Sequence, residues 1–596
     1  MKLKLSAMKL KLSASVLTLA LAGMVGAAGD ASACATLVAA NVGVDTTWGG
    51  GGNPSPVCLA QPIFVVGDAT LTILPGTIVR GMPRSGPVVV GSTVGTPGAL
   101  IVTRNGQIIA DASAASPIVM TTAAVDNDAD GTADDLDGDG FKDGWPGFDP
   151  ADCPGACALA GLGIFLDSAP TVTPLAPLGK DGFATVSLWG GLVIEGNAPT
   201  NLADQVGVGY GTSTIEGLTI PGFPVADATF GGVDPHDNSG ILRYVSVRHA
   251  GDEIGQGNEL NGVSLGGVGD GTIIDFVEVY VNFDDGFEFF GGTVNPTHLV
   301  VAFAGDDTFD ADEGFTGTAQ FLFGVMPFFN NEDGSAFGSG SGDRANEFDG
   351  DDLLMRGGDV NLRIPVTATS LLDIDVTGWP YPNASIWNMT IIGSTPDAGP
   401  DFAPVSAAAT NRGVFWRSGY AGEMFNSIIV NTGGNAGLEL DMGLGEGAVD
   451  VATHVANPNL RGALGRVAML ASTLDDGAAP AAGAAALAIA NGDAKAAAYG
   501  GTANVVNSLL FPGLVNEDVT FPLTGDALGH LVAAKGGNPL ADPRVGFGLV
   551  GVAGGVPPQG VGLDSSATYR GAFDPGAPVN WTTGWTALSQ GGVLAP

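Results

Sequence analysis

Asp126, Asp128, Asp130 and Asp134 form one nine-residue run, and Asp135, Asp137, Asp139 and Asp143 form a second directly after it; both read D-x-D-x-D-G-x-x-D. Carboxylates at alternate positions of a turning loop converge on one hard cation, and Gly131 and Gly140 supply a sharp turn that a Cβ would resist. Calcium is the expected occupant. A second group of candidate ligands is Asp284 with Asp285 and Asp306 with Asp307, two adjacent acidic pairs in like surroundings.

The elements that must position these carboxylates are short. From residue 60 to about 440, β-branched runs such as Ala69–Ile73, Ala99–Thr103, Leu242–Val247, Phe276–Tyr280 and Ile386–Ile392 are punctuated by Gly, Asn and Asp, with no helical periodicity. With the strands aligned on the residues at their C-terminal ends, Tyr244–Glu253 falls on Phe276–Asp285 at an offset of 32, and Asn282–Asp285 falls on Ala304–Asp307 at an offset of 22, which also carries Glu288 onto Asp310. A period near 22 residues, with a ten-residue insertion in one turn, marks a solenoid. The expected fold is all-β, a right-handed parallel β-helix with loop insertions and terminal caps. Equivalent side chains of successive coils then stand about 4.8 Å apart. This places Asp252, Asp284 and Asp306 in one ladder and Glu253, Asp285 and Asp307 in the next. Stacked like charges need a cation, a proton or an outward splay. Asp310, Asp312, Glu313 and the run Glu347–Asp352 extend this acidic edge. The alternative reading is that Asp and Gly simply suit tight turns.

The two acidic repeats resemble the calcium repeats of thrombospondin type 3 and dockerin-like segments over about 18 of 596 residues, and they differ from an EF-hand loop in lacking a Glu at position 12. Gly67–Gly81, Leu188–Asn197, Asp284–Gly292 and Trp581–Leu588 together resemble a largely uncharacterised family of secreted bacterial β-helix proteins. There such segments build and cap coils, which implies a fold and no activity. More distantly, the architecture resembles pectate-lyase-like enzymes. That likeness implies calcium-bound carboxylates with an Arg base, or paired Asp residues for glycoside hydrolysis, with Arg243, Arg248 and Arg344 as the available arginines. The chain departs from it in having no G-H-G or R-x-K motif and no recognisable lyase spacing of Arg, so no catalytic residue is assigned.

Lys2, Lys4, Lys9 and Lys11 precede an apolar run from Val16 to Ala28, and Ala31 and Ala33 place small residues before a cut ahead of Cys34. This reads as an export signal over residues 1–33 and implies an extracellular or outer-surface location. A lipobox acylated at Cys34 is the alternative, though Asp30 lies between the apolar run and Cys34 and position −3 is Ala31 rather than Leu. The four cysteines, Cys34 with Cys58 and Cys153 with Cys157, read as two local disulfides in an oxidising compartment; a zinc half-site at Cys153 and Cys157 is the other reading, with no His nearby. No other stretch is long and apolar enough to span a membrane.

With 22 Lys+Arg against 62 Asp+Glu, the formal net charge is −40, which excludes nucleic acid as a partner and favours divalent cations. The histidines His236, His249, His298, His454 and His530 show no ligand spacing, and no G-x-S-x-G elbow is present. Trp189, Trp379, Trp387, Trp416, Trp581 and Trp585 are candidates for carbohydrate stacking or for core and cap packing. The chain divides into an N-terminal cap and first coils at 34–97, the main β-helix at 98–440 with the acidic loop at 126–143, an Ala-rich excursion at 441–505, and C-terminal coils and a cap at 506–596. The expected function is a calcium-stabilised structural or adhesive protein of the cell surface, binding glycan or matrix. A calcium-dependent polysaccharide lyase or glycoside hydrolase is the alternative.

Overall fold

The computed structural model describes residues 34–85, 95–124, 187–202, 211–215, 218, 228–255, 258–326, 344–349, 382, 384–392, 412–417, 420, 422–430, 438–441, 468–470, 473–474, 505–506, 555–558, 560, 562–590 and 594. The acidic loop at 126–143, Cys153, Cys157, Trp379, His454 and His530 lie outside the described residues.

Parallel pairing dominates. A 17-stranded sheet and a 9-stranded sheet hold nearly all the described strands, and among the described residues the central coils run through two stretches of the larger sheet and one of the smaller. Strand Gly240–Arg248 pairs with Ile273–Asn282 in the register Ile241 to Ile273, and Ile273–Asn282 pairs with Thr297–Ala304 in the register Asp275 to Thr297. These are the offsets of 32 and 22 that the sequence shows. The chain is thus a parallel β-helix. Most of the inserted residues form a small hairpin, Glu253–Gly255 with Asn258–Glu259, between the two sheets. Inside the coils, Val263, Leu265, Phe287, Phe289, Phe309 and Ala311 join one continuous apolar core. Because side chains alternate along a strand, the intervening Ser264, Glu288 and Asp310 stand on the outer face in mutual register.

The bend between the two stretches of the larger sheet has a cause. Tyr244, Phe276, His298, Phe321, Asn388 and Asn426 succeed one another at this corner, all with φ between 52° and 61°. Left-handed backbone costs a non-glycine residue about 1–2 kcal/mol, and stacking offsets it here. Tyr244 lies on Phe276 at 4.4 Å, Phe276 on His298 at 4.1 Å and His298 on Phe321 at 4.7 Å, with the planes within 21° of parallel.

The C-terminal segment runs back along this corner as a strap. It begins at Val556, whose N–H donates to Asn426 Oδ1 at 2.8 Å. It continues through Ala572, donating to Thr390 Oγ1 at 2.8 Å, and Trp581, edge-on to His298 at 5.1 Å. It reaches Gln590, whose Oε1 accepts from Arg248 Nη2 at 2.8 Å. At the other end of the molecule a disulfide joins Cys34 to Cys58. Among the described residues, no helix is long and apolar enough to cross a membrane.

Candidate metal centre

The acidic pairs sit where the chain leaves the larger sheet for the smaller. Strand Ile273–Asn282 passes through Phe283-Asp284-Asp285-Gly286 into Phe287–Phe290, and the next coil repeats the step as Gly305-Asp306-Asp307-Thr308 between Thr297–Ala304 and Phe309–Asp312. Two features keep these turns short. Gly286 lies so close to its neighbours that a Cβ would come within 2.6 Å of Thr308 O, and at Gly305 it would run into Phe283 O. Within the first turn, Asn282 Nδ2 donates to Asp285 O at 2.6 Å.

A hydrogen-bond ladder then ties coil to coil. Asp285 N–H donates to Asn261 Oδ1 at 3.1 Å, Asp307 N–H to Asp285 Oδ1 at 2.8 Å, and Arg344 N–H to Asp307 Oδ1 at 2.8 Å. The residue below Asp285 is therefore Asn261 and not Glu253. The hairpin enters after Asp252, so Asn261 becomes the residue that precedes the next strand. Asp252 itself is buried, accepts from Ser187 Oγ at 2.8 Å and lies 3.6 Å from Arg84.

Each carboxylate in the ladder gives one oxygen to an amide and keeps the other. Two triads result. One donor atom from each of Asp284, Asp285 and Asp306 lies within 4.8 Å of the others, and the same holds for Asp285, Glu288 and Asp310. Asp285 belongs to both. Asp307 joins neither and lies beside Arg344 Nη1 at 3.9 Å, and Arg344 also pairs with Glu347 and stands over the Phe415 ring at 4.6 Å. Asn261, below, donates to Ser264 Oγ at 3.2 Å and to Glu288.

Burial and crowding act in one direction. Burial, then Asp284, Asp310, Glu288 and Asp306, push the Asp285 carboxyl well above the usual carboxylate range. Burial, then Asp310, Asp284 and Asp312, do the same to Glu288 against the opposing bond from Asn261. Asp307 is raised by burial, Glu347, Asp306 and Asp285, with Arg344 opposing. Groups so placed hold protons or a cation. The donors are all oxygen, which suits a hard cation of the calcium class and not zinc, whose sites draw on His and Cys.

The other described candidate residues are buried or have partners within the fold. Trp189, Trp387, Trp416 and Trp585 are buried, and Trp581 is partly buried in the cap cluster. His249 lies edge-on to Tyr280, His298 Nδ1 is 2.9 Å from Asp275, and His236 Nδ1 is 2.8 Å from Asp270. Arg243 pairs with Asp111 at 2.5 Å, and Arg248 is held by Ser246 and Gln590. Only Arg344 of the three arginines meets the acidic edge. Sequence reasoning missed Asn261, which the inserted hairpin hides.

This centre falls within the part of the chain that is similar to a known family. Residues 183–399 match the family model described as a pectate-lyase like beta helix domain. No curated protein gives a significant match, and no solved structure does.

Proposed function

We propose that the protein is an exported β-helix in which calcium bridges neighbouring coils at the acidic edge, and that the stiffened solenoid engages polysaccharide or matrix at the cell surface. The observation that carries this reading is the pair of carboxylate triads that share Asp285. Asp284, Asp285, Asp306, Glu288 and Asp310 would hold the ion, which supplies positive charge between coils and no chemistry of its own. The acidic repeats at Asp126–Asp134 and Asp135–Asp143 offer a second calcium module of the same donor type.

Calorimetric titration of calcium into the mature protein, with melting recorded in calcium and in chelator, tests this. Binding that weakens in Asp285→Asn, and separately in a variant with Asp128, Asp130, Asp137 and Asp139 changed to Asn, is expected. Absence of calcium binding sinks the reading.

The family match favours a second reading, a calcium-dependent polysaccharide lyase or glycoside hydrolase. Against a lyase base, Arg344 is paired with Glu347 and covers Phe415, an arrangement that stabilises the protonated guanidinium. Release of unsaturated or reducing sugar ends from acidic polysaccharides, lost in Arg344→Lys, would establish the enzyme.

A further inference from the structure

Glu278 lies on the outer face of Ile273–Asn282, in register with Ser246 below and Val300 above, yet it has no exposed surface. The strap covers it. Ala587 N–H, at the start of the short helix Ala587–Gln590, donates to both carboxyl oxygens at 2.9 and 2.8 Å, and Ser246 Oγ donates to Oε2 at 2.5 Å. Arg248 Nε donates to the same Ser246 hydroxyl at 2.8 Å while Nη2 reaches Gln590 of the strap. The short helix of the strap is thus fastened to one buried carboxyl group and one arginine, with Leu594 buried in the cap beyond it.

We infer that the C-terminal strap is a proton-sensitive latch, closed most firmly when Glu278 carries a proton and loosened when it ionises. A carboxylate in this position must give up water for the backbone amides of Ala587 and Leu588 and a hydroxyl, whereas the neutral acid fills the same space without a buried charge. The groups that face it do not reverse the balance. Arg248, from Gly240–Arg248, is the cation beside it and favours ionisation. Tyr280, on Glu278's own strand, is buried and its phenol is raised well above the usual range, by burial first and then by Glu278. His249 stands edge-on to Tyr280 at 6.0 Å. Val300 brings no titratable group from Thr297–Ala304, and the strap brings backbone amides and Gln590. Burial dominates the combined effect and raises the Glu278 carboxyl above its ordinary value. Release would uncover the rings of Tyr244, Phe276 and His298, against which Trp581 and Trp585 now pack.

A raised carboxyl fixes the sign. Docking is strongest below the ordinary glutamate range and weakens as pH rises through the raised one, by up to about tenfold per pH unit within that window. The test is hydrogen exchange of residues 581–590, corrected for the intrinsic rate, together with acrylamide quenching of tryptophan, on the full chain at fixed calcium between about pH 4 and pH 8, a span that brackets the ordinary glutamate value. In the wild type the strap opens roughly tenfold or more over this span while the amides of Ile273–Asn282 stay protected. In Glu278→Gln the opening becomes independent of pH, and in Gln590→Ala it increases at every pH but keeps its slope. A flat wild-type profile overturns the inference. So does an unchanged slope in Glu278→Gln, and the wild-type profile decides by itself if that variant fails to fold. Calcium binding at the acidic edge plays no part in the outcome.

Discussion

Asn388 shows how much a single residue can contribute to a solenoid corner. Its φ is 52°, its Nδ2 donates to Tyr569 O at 2.8 Å, and its Oδ1 accepts from Gln320 Nε2 at 3.1 Å. Asn tolerates left-handed backbone better than other L-residues, and its amide joins the coil to the strap. Asn388→Ala should cost about 2–3 kcal/mol, and Asn388→Gly less because the strain is relieved, as read by denaturant midpoints. At the acidic edge, Asp285→Asn keeps an oxygen for the Asp307 amide but removes a charge from both triads. It should raise the unfolding free energy in chelator and lower it in calcium, by on the order of 1–3 kcal/mol each way, with the melting temperature moving in the same sense. A single sign in both media would refute the cation account. The acidic residues themselves were legible in the sequence, because Asp284-Asp285 and Asp306-Asp307 recur at the strand offset. Asn261 was not legible, since a hairpin separates it from the aligned segment and only the register brings it beneath Asp285.

Among the elements, the three-sided coil accounts for most of the sequence pattern. The offsets of 32 and 22 are the registers of the larger sheet, and Glu288 falls on Asp310 in the smaller one. The corners were harder to foresee. Tyr244, Phe276 and His298 stand at equivalent positions in plain view, but ring stacking that sustains left-handed backbone leaves no mark in hydrophobic periodicity. Phe276→Ala removes the ring between Tyr244 and His298 and the contacts with Trp581 and Trp585. A loss of about 3–5 kcal/mol is expected, with a reduced near-ultraviolet circular dichroism signal from the aromatic stack. A loss below about 1 kcal/mol would mean that the corner is held by its hydrogen bonds alone.

For the molecule as a whole, the strap changes how a repeat protein behaves. An open solenoid is stabilised by nearest neighbours and frays from its ends. Here one segment makes bonds at Asn426, Thr390, Gln320, Glu278 and Arg248, so coils separated in sequence melt together. Removing residues 555–596 should replace one cooperative transition by several broader ones in calorimetry. Acidic groups buried outside the triads set the pH profile. Glu278 and Asp237 are both raised, chiefly by burial. Their stabilising contribution is complete below the ordinary carboxylate range and is lost as pH rises through the raised values, so stability should be higher near pH 5 than near pH 8. A profile that rises with pH would contradict this. The strap also acts as a ruler. Solenoids lengthen readily when a coil is duplicated, but each added coil here would move Asn426 about 4.8 Å further from Arg248. A closure of fixed length cannot follow, so the number of coils between those residues is set by the segment that spans them.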